Sequence, residues 1–375
     1  TFQQEGLGMQ FAGTQGEMLR CLDMVGRAVA NRDVNPILTG IYLECGNGQL
    51  TVRATDNEIG IEASAPVEVH QPGRVVVEAK YFLPLVRRLP SGDVFIQELT
   101  EQQMIEIKAG TGSFRFQTMA ADQFPSLTVA EPKPLLRIPS QIAARMIKQT
   151  VYAAQKDQGH SVFGGVLMEC AEGELRFVAT DTSRLCFNRT AVLDGEAFKM
   201  ILPARTCTEL QRLLASEPDS MLEIASMGSQ VLFRLENVIL VSRLLEGQYP
   251  DYTRVIPSTT ETEIVVPSSD LASALERAEL MGKKGPAIVA LNIEEGIMRL
   301  DSRDAELGES SESLMVEQNG PAVSSAFQVR FLLDMLKTAT TEKVRIGLSS
   351  GLNPGMMRPV DDDDYVYVLM PVRVI

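Results

Sequence analysis

The feature that most constrains this chain is that it repeats itself. Leu175-Arg-Phe-Val-Ala-Thr-Asp181 has a counterpart in Leu50-Thr-Val-Arg-Ala-Thr-Asp56 and a weaker one in Met298-Arg-Leu-Asp-Ser-Arg-Asp304. Leu43-Glu44-Cys45 returns as Met168-Glu169-Cys170, Gly48 as Gly173, Thr55-Asp56 as Thr180-Asp181 and Phe124-Pro125 as Tyr249-Pro250, each 125 residues later. The third copy is more diverged. Gly173 to Gly296 is 123 residues and Arg205 to Arg330 is 125, so two residues are gained in between. A series of matches kept in one order marks an internal repeat. A chain of 375 residues also exceeds one ordinary core. The predicted organisation is an extension or tag remnant at 1–8, then three domains at 9–132, 133–259 and 260–375.

Within a copy the pattern reads strand, helix, then strands. Thr14 with Glu17 forms a capping box for a helix expected from about Gly16 to Ala30. Strands are expected over Ile37 to Cys45 and Leu50 to Ile61, joined by the turn signal Gly46-Asn47-Gly48. Val129 to Leu135 and Pro257 to Thr262 read as linkers. Pro139-Ser140 and Pro267-Ser268 read as N-caps of the first helices of copies two and three. A second helix is expected at Ala79 to Leu89, Ala204 to Ala215 and Gln328 to Ala339. Two helices and many strands per copy give an α+β fold with the helices gathered on one side of the sheets.

Hydrophobic content of 45% with 22% charged residues is that of a folded, water-soluble chain. No apolar run approaches the roughly 18 residues that span a bilayer, and no signal-peptide layout opens the chain, so the expectation is cytoplasmic with no membrane partner. Five cysteines form no CxxC pair and read as reduced, mostly buried thiols. His70 and His160, the two histidines, have no partner at metal-ligand or triad spacing. No phosphate-binding glycine loop is present, and no catalytic residue, metal or cofactor is expected. Asp361 to Asp364 is either a solvated loop or a metal site, the latter leaving a metal-dependent enzyme as an alternative. Asp56 and Asp181, at equivalent places in two copies, fit turn capping better than paired catalysis.

The net charge of −14 argues against tight non-specific nucleic-acid binding by the whole surface. Screening over about 10 Å leaves room for a local basic surface. The second helices carry Lys80 and Arg87, Arg205 and Arg212, Arg330 and Lys337, each pair seven apart and so on one helical face. The first helices add Arg20 and Arg27, then Arg145 and Lys148, then Arg277. Any amphipathic helix places cations on its wet face, yet the shared register in an acidic chain points to one common polyanion. Pro84 is an obstacle, since a proline inside a helix costs ~3 kcal/mol. A helix beginning near Leu83 would take Lys80 off that face.

Three tandem α+β copies, the Ala179-Thr-Asp…Arg184-Leu185 stretch, Tyr249-Pro-Asp-Tyr-Thr-Arg-Val255 and Val368-Leu-Met-Pro-Val-Arg-Val374 together resemble the bacterial DNA sliding clamps, the β-subunit family of DNA polymerase III. The resemblance runs from Met9 to the C-terminus. It implies a chain forming half of a ring that closes as a head-to-tail homodimer around double-stranded DNA, helices inside and sheets outside. It implies a processivity factor, with the polymerase α subunit, the clamp loader and repair proteins as partners through a short peptide. An adaptor made of repeats with no DNA role remains the other alternative.

The family pattern adds Arg32 and Lys156 as DNA-facing positions. It places a peptide groove at Phe163, Thr180, Thr182, Ser183, Arg184, Leu185, Pro250, Arg254, Val255, Val368, Met370, Pro371, Val372 and Arg373. There, apolar side chains would accept the ligand and Arg184 and Arg373 would hydrogen-bond it. Thr182-Ser183 departs from the family, in which a His commonly follows a small residue. Phe114 and Phe116 would meet Leu280 and Met281 of a second copy at the dimer interface.

Overall fold

Each copy turns its central hairpin on two residues of positive φ. These are Asn47-Gly48 (50° and 76°), Glu172-Gly173 (54° and 77°) and Glu295-Gly296 (51° and 75°). That is the type I′ pair whose twist matches antiparallel strands. Cys45 stands opposite Leu50 across the first hairpin and Cys170 opposite Leu175 across the second, so repeated sequence means repeated register. The computed structural model describes residues 8–31, 35–127, 132–156, 161–282 and 285–373.

The strand expected over Leu50 to Ile61 is two strands, Gln49–Thr55 and Ile59–Pro66. The break is the Asp56 corner. Asp56 Oδ1 accepts the amides of Glu58 (3.1 Å) and Ile59 (2.9 Å), and Thr55 Oγ1 donates to the Ile59 carbonyl (2.9 Å) while accepting the Asn57 amide (3.1 Å). Asp304 caps the third corner in the same way, at 2.9 and 3.0 Å. Side-chain bonds of this kind offer the backbone an alternative to the ladder, and they end the strand.

Among the described residues six α-helices follow in order: α1 Gln15–Val25, α2 Ala79–Arg88, α3 Ser140–Thr150, α4 Ala204–Ser216, α5 Ser268–Glu279 and α6 Val329–Leu336. Thr14 accepts the Glu17 amide at 3.3 Å, the N-cap half of the expected box, and its hydroxyl donates to the Glu17 carboxylate at 2.7 Å. α2 runs through Pro84 instead of starting after it. Pro84 is the sixth residue of the helix, so its missing amide leaves the Lys80 carbonyl without its i+4 donor, yet Lys80 stays on the helix and exposed. Ser140 and Ser268 are the first residues of their helices rather than caps. Their amides donate to the Ser220 and Glu342 carbonyls, pinning each helix start to a neighbouring turn.

The chain divides into two compact units, one of residues 1–141 and 212–244, the other of 142–211 and 245–375. In the first, thirteen strands form one sheet in which Val238–Arg243 pairs antiparallel with Ile59–Pro66. In the second, a nine-stranded sheet contains the equivalent junction, Arg184–Ala191 paired antiparallel with Tyr365–Leu369, beside a four-stranded sheet. Pro134 stands inside the strand Lys133–Pro139, at an irregularity in its register, so that end of the expected linker is already sheet. No helix among the described residues is long and apolar enough to cross a membrane.

Candidate functional site

In the second unit, Thr180, Thr182, Ser183, Arg184 and Met370 of the expected groove meet at one corner. Asp181 Oδ1 accepts the amides of Ser183 and Arg184, both at 3.0 Å. Thr180 Oγ1 donates to the Arg184 carbonyl (2.7 Å) and accepts the Thr182 amide (3.1 Å). Thr182 is held at φ 75°, a conformation that costs a β-branched residue about 1–3 kcal/mol and persists because its surroundings fix it. The Met370 amide then donates to the Ser183 carbonyl at 2.9 Å, bringing the C-terminal segment onto the corner.

Below this corner lies an apolar floor. Leu185 stands opposite Val368, and both join Leu167, Val178, Ile201, Tyr249, Tyr252 and Val366 in one cluster, with Val162 and Ile256 half-buried against it. The Phe163 ring meets Tyr249 edge-on at 6.5 Å. Thr182, Pro250, Arg254, Val255, Met370 and Arg373 are exposed, and Phe163, Ser183, Pro371 and Val372 are half-buried. Val255 and Met370 are 40% and 39% exposed, high for large apolar side chains and suited to contact with an extended ligand. Arg254 is tied to Asp251 at 2.9 Å.

Four of the expected groove residues lie inside. Thr180, Arg184, Leu185 and Val368 are buried. Leu185 and Val368 support the floor from within the core. The Arg184 guanidinium is consumed by the protein itself: Nε donates to Asp181, Nη1 to Asp334 at 2.7 Å and Nη2 to the Tyr152 carbonyl at 2.7 Å. Burial opposes its charge, but Tyr367, Asp334 and Asp181 more than offset this and raise its pKa above the ordinary value. Behind it, Tyr152 and Tyr365 share a 2.6 Å hydrogen bond, and Thr338 reaches Tyr365 at 3.0 Å. Burial pushes both tyrosine pKa values well up, so the hydroxyls stay protonated. Reading the sequence missed Tyr152 and Asp334. The available signal was Asp334 itself, an acid set between Arg330 and Lys337 at helical spacings of four and three.

Arg20, Arg27, Lys80, Arg87, Arg145, Lys148, Lys156, Arg205, Arg212, Arg330 and Lys337 are all exposed; Arg32 falls outside the described residues. Buried opposite them are Phe82 and Val86 on α2, Leu210, Leu213 and Leu214 on α4, and Leu332, Met335 and Leu336 on α6. Among the described residues, no acid lies within ion-pair distance of Lys80, Arg145, Lys148, Arg330 or Lys337. Arg87 and Arg277 are partly neutralised. Arg87 grips Asp23 at 2.6 and 3.0 Å, and Arg277 grips Glu312 at 2.6 and 2.7 Å.

The strand Gly112–Met119 pairs fully with Met104–Ala109, but with Gly73–Glu78 only through Thr118 and Met119. Its first six residues therefore keep an open edge among the described residues. Phe114 on that strand is 37% exposed and Phe116 half-buried. Gly308–Met315 is likewise a sheet edge. Leu280, just past α5, is 71% exposed, with Met281 half-buried. Exposed edges with apolar side chains are usually covered in a native assembly.

The Asp361–Asp364 cluster is spent on structure. Asp364 binds Arg189 through its side chain (2.8 Å) and carbonyl (3.0 Å), Asp362 accepts the Asp364 amide (3.3 Å), and Asp363 lies 3.8 Å from Arg358. All five cysteines are buried free thiols; burial lifts Cys21 to about 11 and Cys207 to about 12.

Three family profiles match the chain in order. They are the DNA polymerase III beta subunit N-terminal domain over residues 9–128, the central domain over 137–251 and the C-terminal domain over 253–373. The chain is 30% identical over 379 residues to the beta sliding clamp of Bacillus subtilis (strain 168), which spans 97% of this chain and 100% of that one. It is similar to the solved Pseudomonas aeruginosa sliding clamp bound to griselimycin, with a TM-score of 0.93 and 27% identity over 98% of this chain and 100% of that one. The Thermotoga maritima DNA polymerase III beta subunit gives 0.91 and 29% over the same shares.

Proposed function

This chain belongs to the DNA polymerase III beta subunit family, the non-catalytic sliding clamps of bacterial replication, and from that premise we propose how its residues do the work. It acts as a homodimeric ring around duplex DNA that keeps the replicative polymerase from leaving its template. The observation that carries this reading is the ordered match of all three domains along the chain. A topological link makes tight binding unnecessary. Scattered lysines and arginines that touch phosphates without reading sequence suffice, and an acidic remainder keeps DNA off other surfaces.

The open edge at Gly112–Gln117, with Phe114 and Phe116, is the surface for head-to-tail closure against a second copy's Leu280, Met281 and Gly308–Met315. The Thr182–Ser183 corner, with Val255 and Met370 exposed nearby, is the docking place for a short apolar peptide of the polymerase α subunit, the clamp loader and repair proteins. Met370 offers a deformable contact to several partners. The place of action is the bacterial cytoplasm.

The deciding experiment loads the protein on nicked circular DNA and then linearises it. Retention on the circle and loss from the free ends are expected. Replacing Arg32, Arg205 and Arg212 by Glu should weaken loading and retention at low salt. Equal retention on linear DNA would refute topological holding, and unchanged residence of the triple variant would refute the assignment of those cations.

A further inference from the structure

Arg184 stands behind the partner corner, not on it. It is 6% exposed, its guanidinium carbon lies 4.4 Å from the centre of the Phe331 ring and 5.6 Å from that of Tyr152, and its donors are fixed on Asp181, Asp334 and the Tyr152 carbonyl. Asp181 splits its two oxygens between tasks. Oδ1 holds the amides of Ser183 and Arg184, and Oδ2 holds the guanidinium at 3.0 Å. The Ser183 carbonyl in turn receives the Met370 amide. One continuous chain of hydrogen bonds, charge-assisted at Asp181 and Asp334, therefore runs from Met370 through Ser183, Asp181 and Arg184 to Asp334 on α6. For the guanidinium to swing out to an outside ligand it would have to leave its buried place and pull away from Asp181 and Asp334. Such a loss is costly, because the remaining charge keeps its desolvation without its partner. A planar fork with three fixed acceptors is also far more rigid than a single charge contact.

We infer that Arg184 and Asp334 are positioning residues for the partner groove: their ion pair sets the Thr182–Ser183 corner and the Met370 segment against α6 from behind, and the bound peptide touches neither. The inference rests on the reading of this corner as the peptide groove. Among the described residues, the hydrogen-bond partner of Asp334 is Arg184. Asp334→Asn is therefore a nearly isosteric change that alters the groove only through Arg184.

The test is fluorescence anisotropy with a labelled Gln-Leu-Ser-Leu-Phe peptide on the full chain, for the wild type, Asp334→Asn, Arg184→Met and the double variant. Asp334→Asn should weaken binding about five- to thirty-fold, and the double variant should be no weaker than Arg184→Met alone, the non-additivity of residues acting as one unit. Amide exchange at Ser183 and Arg184 should quicken in Asp334→Asn. Wild-type affinity in Asp334→Asn together with weakened Arg184→Met would make Arg184 a direct ligand and overturn the inference. If Arg184→Met does not fold, Asp334→Asn decides alone. A wild type that binds no peptide refutes the groove reading itself and the inference with it.

Discussion

The repeat supplies its own control for the partner corner, through the paired substitutions Thr180→Val and Thr55→Val. The two threonines do the same local work, one donated and one accepted hydrogen bond at 2.7 and 3.1 Å for Thr180 and 2.9 and 3.1 Å for Thr55. They are 8% and 4% exposed. Valine keeps the shape and removes both bonds. Each net bond is worth about 0.5–1.5 kcal/mol, and a buried carbonyl left alone costs about 1–3 kcal/mol. Here each carbonyl keeps a longer bond, from the Asp181 amide at 3.3 Å or the Asp56 amide at 3.2 Å. The expected loss is about 1–2 kcal/mol in each variant, read as a drop in urea midpoint at unchanged slope. Only Thr180→Val should also lose peptide affinity. If binding must restore the corner, the same 1–2 kcal/mol appears as roughly a five- to thirty-fold weaker Kd. Equal peptide loss in both variants would show a global effect. Full affinity in a destabilised Thr180→Val would show that the corner's geometry is irrelevant to the ligand, refuting the reasoning.

Two further outcomes are expected. Leu280→Asp, alone or with Phe114→Asp, should shift sedimentation at micromolar concentration from dimer to single chain while leaving the circular dichroism spectrum unchanged; a persisting dimer would remove these side chains from the interface. Glu106, 6% exposed, is held by Lys108 (2.9 Å) and Arg115 (2.8 Å), first of all through the Lys108 hydrogen bond, and its pKa falls to about 2. A depressed folded value stabilises above the unfolded value of about 4.3 and is lost as pH drops towards 2. The stability advantage of the wild type over Glu106→Gln should therefore be full at pH 6 and shrink between pH 4.5 and 2, and a constant difference across that range would contradict it.

The legible part of this protein was what local rules and repetition encode. The offset of 125 residues named equivalent turns, and the turns came out with equivalent dihedrals because only two residues of positive φ close those hairpins. Asp56 and Asp181 were readable as turn caps because a short carboxylate can bond only to its own neighbourhood. The exposure of the helical cations followed from a seven-residue spacing opposite leucines. Two local details were settled by context. Pro84, sixth in α2, takes one donor from the Lys80 carbonyl without ending the helix expected over Ala79 to Leu89, and the serines beginning α3 and α5 found partners on distant turns.

What sequence alone determined is thus the copied domain, its corners and its wet helical faces; tertiary structure decided what packs around each corner. The first and second copies fold the same Thr-Asp corner, yet in the first a Cβ on Gly60 would collide with Leu127, which packs against Ala225, Leu232 and Val241. The second has Leu185 at that position, paired with Val368, and leaves Val255 and Met370 exposed nearby. Arg184 changed most. The family resemblance marked it as a ligand-binding cation, and in the fold its guanidinium is held inside by Asp334, 150 residues away in sequence and 2.7 Å distant. Periodicity and spacing encode contacts within a turn or across a hairpin. A contact 150 residues apart depends on how whole elements pack, and nothing local in the sequence carries it.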